Sequence, residues 1–150
     1  MISEAEQYHG IVLRQLILGA GRPLSIALVD SQGRRDCFRV DGGAFQVKYS
    51  TRRLSPWQFS FTVDQLHEIA TLARSYRPVW LMLVCGIDGV VALSSHEFIQ
   101  LVEGRPGGVL TIRVSRKRNE MYRVSGNTED STFTKSRGVG DFLSDLARPL

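Results

Sequence analysis

Cysteine is scarce in this chain. Cys37 and Cys85 are the only two in 150 residues, and each lies inside an apolar run. That excludes a disulfide framework as the source of stability, and no Cys/His spacing resembles a zinc site. Two buried free thiols fit a cytoplasmic compartment. Long apolar runs are missing as well. The longest, Val79 to Cys85, spans seven residues, far below the ~18 that a membrane helix requires. The first residues, Met1-Ile2-Ser3-Glu4-Ala5-Glu6, are acidic where an export signal is basic and then apolar, so none is expected. There is no internal repeat, no low-complexity stretch and no Gly-x-Ser-x-Gly elbow. Gly138-Val139-Gly140 precedes a helical pattern but lacks a Walker lysine, which leaves a nucleotide-binding assignment weak.

What is present describes a globular chain. The composition is 43% hydrophobic and 23% charged, which excludes disorder and collagen-like repeats. A chain of this length buries about 70% of the surface its unfolded form exposes, enough for a core without a staple. One domain over 1–150 is expected, with a core at about 4–102 and a C-terminal hairpin and helix at 109–147. Lys and Arg number 19 against 15 Asp and Glu, a net charge of +4. That balance permits nucleic-acid binding without demanding it.

Ser3 and Glu6 have capping-box spacing, so a helix is expected from about 4 to 18, with His9 on its inward face beside Ala5, Val12 and Leu16. Strand patterns follow at 24–29, 36–40, 44–50 and 57–61. Thr62 with Gln65 opens a second helix at 63–76. Val79 to Cys85 has the composition of a central strand covered on both faces. A strand at 90–93, a short helix at 96–102 capped by Ser95, a hairpin at 109–115 and 121–125 and a last helix at 141–147 complete the order. Such mixing predicts an α/β fold with a mixed central sheet flanked by helices.

The most informative stretch is Asp36 to Ser50. Lys48 sits in the middle of an apolar strand, two residues after Gln46, so the two side chains share one face. Whether Asp36 joins them depends on the turn. A two-residue Gly42-Gly43 turn pairs Val40 with Phe45 and sends Asp36 to the other face. A three-residue Asp41-Gly42-Gly43 loop pairs Val40 with Ala44, sets Asp36 across from Lys48 and puts Phe38 beside Gln46; this register is preferred. A carboxylate and an amide oxygen can hold Mg²⁺ with several waters, and a lysine can polarise water or offset charge on a phosphate. A structural Asp–Lys cross-strand pair explains the same residues.

The arrangement of Asp36 with Gln46-Val47-Lys48 resembles the PD-(D/E)xK nuclease motif, in a variant where glutamine replaces the usual carboxylate. The preceding helix, the hairpin through the motif, the second helix and the apolar strand after Pro78 extend the resemblance over about two-thirds of the chain, from Glu4 to Val102. It implies a restriction-endonuclease-like core and DNA phosphodiester hydrolysis with Mg²⁺ or Mn²⁺. Asp36 and Gln46 would be the metal ligands and Lys48 the catalytic lysine. An acidic residue of the first helix, Glu6 or next Glu4, would assist, or His9 in its place. Arg35 stands where the family carries proline. Some members of this fold only bind partners, so an inactive module that binds nucleic acid or protein, a homodimer included, is the rival expectation.

Arg52 and Arg53 follow the motif strand and can flank a phosphate path. Arg116, Lys117 and Arg118 at the hairpin tip make the densest basic cluster, with Arg113 and Arg123 on its strands. If the chain binds nucleic acid, they are expected to contact phosphates rather than bases; exposed hairpin tips are commonly charged in any case. Trp57 and Trp80 are expected in the core. His67 and His96 have no partner at ligand spacing.

Overall fold

The computed structural model describes residues 1–29, 35–103, 110–126 and 132–148. Helix α1 (Glu4–Ala20) starts where the Ser3 hydroxyl accepts the Glu6 amide and stops at Gly21 in the left-handed region, as an N-cap and a glycine C-cap dictate. Then come β1 (Ile26–Leu28), β2 (Cys37–Val40), β3 (Gly43–Ser50), β4 (Trp57–Phe61), α2 (Val63–Ser75), β5 (Val79–Cys85) and β6 (Gly89–Ser94). Helix α3 (Ser95–Val102), β7 (Leu110–Ser115), β8 (Tyr122–Ser125), β9 (Thr132–Lys135) and α4 (Gly140–Leu146) follow. The α/β expectation holds. The cap of α3 is Ser94 rather than Ser95, because Glu97 closes the capping box from the third helical position and fixes the cap three residues earlier. Residues 104–109 lie outside the described residues, so the expected start of the hairpin strand at 109 does too.

A five-stranded sheet runs in the order β1-β2-β3-β5-β6. Only the β3–β5 pairing is parallel, with Gln46 level with Leu81 and Lys48 level with Leu83. Every residue of β5 is buried. Its alternate side chains serve two layers. Leu81, Leu83 and Cys85 face a cluster with Phe59, Phe61, Phe98, Ile112 and Val124. Trp80, Met82 and Val84 face a second cluster with Val12 and Leu16 of α1, Phe45, Val47 and Phe142 of α4. Helix α2 closes the sheet over β2 and β3 by packing Leu72 against Cys37, Ala44 and Val79. Burial of this kind stabilises by roughly 1.5–3 kcal/mol per large side chain.

The sequence pattern did not separate β4 from the central sheet. It lies in a second, antiparallel sheet of order β4-β7-β8-β9, in which β9 had not been anticipated. Its inner residues alternate strictly with exposed ones along β4 and join the Leu81–Leu83 cluster, so the two sheets pack face to face. β9 is held by Lys135, which is buried and paired with Glu97 at 2.9 Å and with Asp141 at 3.3 Å.

The turn between β5 and β6 ties the two sheets together. Asp88 accepts hydrogen bonds from Arg116 Nε at 2.7 Å and Nη2 at 2.6 Å, and from the Tyr122 hydroxyl. Gly86 occupies the left-handed region (φ 53°) with the Arg52 carbonyl where a Cβ would stand, so only glycine fits there. The Arg116 hydrogen bonds, aided by the Tyr122 hydroxyl, hold the Asp88 carboxyl below the ordinary carboxylate range despite some burial. A lowered carboxyl pKa stabilises the folded state above the unfolded value, and that contribution is lost as pH falls through the folded value.

Tyr122→Phe should lower stability by about 0.5–1.5 kcal/mol, read as a small drop in melting temperature. In acid titrations followed by circular dichroism, Asp88→Asn should flatten the loss of stability below the ordinary carboxylate range. A variant with the wild-type acid profile would remove Asp88 from that role.

Candidate active site

The β2–β3 turn takes neither of the two expected registers. Val40 pairs with Gly43, Arg39 with Ala44, Phe38 with Phe45 and Cys37 with Gln46, so the turn is Asp41-Gly42. Two local causes set it. Asp41 adopts the left-handed region (φ 53°), its amide bonds the Ser25 carbonyl at 2.8 Å, and its carboxylate accepts from the Ser25 amide at 3.0 Å and from Arg22 at 2.9 Å. Gly43 passes so close to the Pro78 carbonyl that a Cβ there would stand 2.8 Å from it, which makes glycine the strand residue at that point. The preferred register is thereby corrected. Asp36 is level with Val47, which donates its amide to the Asp36 carbonyl at 2.9 Å, and Phe38 lies beside Phe45 rather than Gln46.

Strand alternation alone would then place Asp36 on the face opposite Gln46. The chain bends at Asp36, just before β2 begins, and the carboxylate returns to the glutamine. Gln46 Nε2 donates to Asp36 Oδ2 at 3.0 Å, and the Cys37 thiol donates to Oδ1 at 3.7 Å. Gln46 is 2% exposed, and among the described residues its Oε1 has no hydrogen-bond partner.

β2 begins only at Cys37, opposite Gln46, while β3 runs on to Ser50, which leaves a notch beside β3. There a cavity of about 370 Å³ is lined by Ala5, His9, Arg35, Asp36, Val47, Lys48 and Tyr49. Helix α1 roofs it. Tyr8 stacks on Tyr49 at 4.6 Å between ring centroids, and His9 meets Phe38 edge-on at 5.6 Å. Burial pushes the His9 imidazole below its ordinary value, and the negative charge of Asp36 offsets part of that shift. The net direction favours the neutral imidazole, the form that can accept a proton.

The Lys48 side chain reaches from this cavity toward β4 and α2. Nζ donates to the Ser60 carbonyl and to Gln65 Oε1 at 3.4 Å, and stands 4.1 Å from the Phe61 ring centroid. Gln65 thus has two duties, because the same Oε1 accepts the Thr62 amide of the capping box at 2.9 Å. Sequence reasoning found that box but had no means of seeing its second partner.

The other expected residues separate into two groups. Glu6 is exposed and does not line the cavity. Ala5 and His9 are four residues apart and share the face that does, while Glu6 is rotated about 100° away. Glu4, Arg52, Arg53, Lys117 and Arg118 are also exposed. Arg52 contributes its carbonyl to Trp57 Nε1 at 2.8 Å. Arg116 is 16% exposed and committed to Asp88, so the basic tip consists of Lys117 and Arg118. Tyr8, Arg35, Ser60 and Gln65 were not anticipated at the site. A tyrosine one residue before His9 was the only available signal for the first.

Among the described residues no three of His, Cys, Asp and Glu come together as a metal-binding group. The hard-oxygen donors nearby are the Asp36 carboxylate, which lines the cavity, and the buried Gln46 Oε1, which does not line it and belongs to the amide whose Nε2 faces Asp36. One carboxylate with neutral oxygens suits Mg²⁺, which keeps waters or takes phosphate oxygens for its remaining positions. The donor set fits a divalent ion on that condition. Among the described residues no helix is long and apolar enough to cross a membrane.

No family model matches the sequence, and no curated protein matches it. Among solved structures the chain is similar to Hjc, a Holliday junction resolvase from the archaeal hyperthermophile Archaeoglobus fulgidus. The TM-score is 0.52 at 10% sequence identity, over 97% of this chain and 100% of that one. Similarity at that identity is a statement about architecture. The α/β framework, with its mixed sheet and the four helices of the described residues, resembles the restriction-endonuclease-like fold of that resolvase.

Proposed function

We propose that this chain is a nuclease-like domain that hydrolyses DNA phosphodiester bonds with Mg²⁺ or Mn²⁺, and that Asp36, Gln46 and Lys48 form its centre. The observation that carries this reading is Gln46, whose Nε2 holds the Asp36 carboxylate while its buried Oε1 lacks a partner among the described residues. An unpaired buried acceptor costs about 1–3 kcal/mol, which a bound cation recovers. The similarity to a Holliday junction resolvase supports a DNA substrate.

Asp36 and Gln46 would hold the metal, which when bound supplies Lewis-acid polarisation and a more acidic water. The chain's own groups divide the remaining work. Lys48 brings a cation on a flexible stem to offset charge that develops on the phosphate. The neutral His9 imidazole, in the same cavity, accepts a proton from the attacking water. Arg35 beside Asp36 and the exposed Arg52, Arg53, Lys117 and Arg118 hold flanking phosphates. Arg116 acts through the shape of the hairpin.

A second reading has its own support. Gln46 Nε2 already occupies one Asp36 oxygen, and Lys48 Nζ rests on the Ser60 carbonyl. A domain arranged so can bind DNA, a protein or a second copy of itself without cutting.

Cleavage of plasmid and branched duplex DNA in Mg²⁺ and in Mn²⁺ tests the first reading. Lys48→Ala should reduce cleavage about 10²–10³-fold while DNA binding persists. Absence of cleavage by the wild type in both metals, with binding retained, would establish the binding module instead.

Gln46→Glu supplies a second carboxylate. In chelator it should melt below the wild type, because two adjacent carboxylates repel. Mn²⁺ should then raise its melting temperature more than it raises that of the wild type. Equal Mn²⁺ shifts in Gln46→Glu and in Asp36→Asn would place the metal elsewhere.

A further inference from the structure

The outer face of the second sheet has an unusual composition. Its inner positions are the core residues Trp57, Phe59, Phe61, Ile112, Val114 and Val124. The intervening residues project outward, and the register sets them against one another: Gln58 opposite Arg113, Ser60 opposite Thr111, Arg113 opposite Ser125, Ser115 opposite Arg123, and Arg123 opposite Thr134. Across four strands this face carries two arginines, one amide and hydroxyl residues, with no carboxylate and no apolar side chain. Arg113 and Arg123 are exposed. They sit diagonally on neighbouring strands, about 7–8 Å apart. Among the described residues neither arginine enters an ion pair, whereas the nearby Arg116 is committed to Asp88.

That composition selects a class of partner. Protein-docking faces have an apolar centre with aromatic anchors, and this face has neither. A phosphate backbone needs cationic forks, hydroxyl and amide donors, and freedom from competing carboxylates. Three inter-strand gaps of ~4.8 Å make the face roughly 14 Å wide, room for the backbone of a duplex. It also adjoins the catalytic cavity in the chain's own bonding, since Lys48 donates to the carbonyl of Ser60, whose side chain belongs to this face.

We infer that the outer face of the β4-β7-β8-β9 sheet is a docking surface for the sugar-phosphate backbone of duplex DNA, with Arg113 and Arg123 as its phosphate anchors. The choice of DNA rests on the nuclease reading above, while the phosphate chemistry rests on the face alone. Contacts of this kind fix position and carry no base preference. The face therefore adds affinity for duplex of any sequence and orients it relative to the notch at Asp36.

The test is a salt titration of the full chain binding a fluorescent duplex, read by anisotropy, for the wild type, Arg113→Ala/Arg123→Ala and Arg113→Lys/Arg123→Lys. The double alanine variant should lose affinity equally for unrelated sequences, and its log–log salt slope should shrink by about 1.8, at ~0.9 per lost phosphate contact. The double lysine variant should keep most of the slope. Matching circular dichroism spectra and melting temperatures control for folding. An unchanged slope in the alanine variant would overturn the inference, as would a wild type that does not bind duplex DNA. Cleavage assays on the same proteins separate the two proposals. A lowered slope without cleavage in either metal leaves the docking face standing and removes the nuclease, and cleavage with an unchanged slope does the reverse.

Discussion

The double-sided burial of β5 is the constraint on which the rest of the molecule depends. A strand with no exposed residue needs a layer on each face, and its neighbours must pair along both edges. β3 and β6 take the edges. Helices α1 and α4 cover one face, and the second sheet with α2 and α3 covers the other. The parallel pairing with β3 also sets the height of the candidate site, because Gln46 and Lys48 are held level with Leu81 and Leu83. The strand that carries Gln46 and Lys48 is thus anchored to a strand buried at every residue.

The notch beside β3 arises from a difference in strand length. β2 begins only at Cys37, after the bend at Asp36, while β3 continues past Gln46 for several residues with one edge not covered by β2. Into that gap α1 lowers Ala5 and His9. Burial and charge then act in opposite senses on neighbouring groups. Desolvation lowers the imidazole's affinity for a proton, the Asp36 carboxylate draws the Gln46 amide, and among the described residues the remaining amide oxygen has no donor. In a dense interior such an atom is costly, and its persistence beside a carboxylate distinguishes this corner from ordinary core.

The basic residues near the hairpin divide by the same rules. Arg116 lies where the β5–β6 turn meets the hairpin, and its planar guanidinium matches the Asp88 carboxylate in a two-pronged contact. It closes the seam between the sheets together with Tyr122. Arg113 and Arg123 occupy outward positions of an alternating strand, where no carboxylate stands opposite. Residues close in sequence and alike in charge therefore have different work, decided by strand parity and by what the neighbouring turn presents.

By itself the sequence determined whatever depends on short-range periodicity and local capping. The seven-residue apolar run required a central strand, the Thr62–Gln65 box started α2, and the alternation of Trp57 to Phe61 marked β4 as half-buried. The Gln-x-Lys spacing guaranteed that Gln46 and Lys48 share a face. Tertiary structure alone decided what depends on register and bending. The close approach of Pro78 at Gly43 and the Ser25–Asp41 bonds set the turn at Asp41-Gly42. A bend then restored to Asp36 the proximity to Gln46 that strand parity had removed. The partition of strands into two sheets, the Lys48–Ser60 contact and the Asp88–Arg116 pair belong to the same class. Each joins segments ten or more residues apart, and a one-dimensional pattern holds no information about which of several equally favourable partners the packed core will bring within reach.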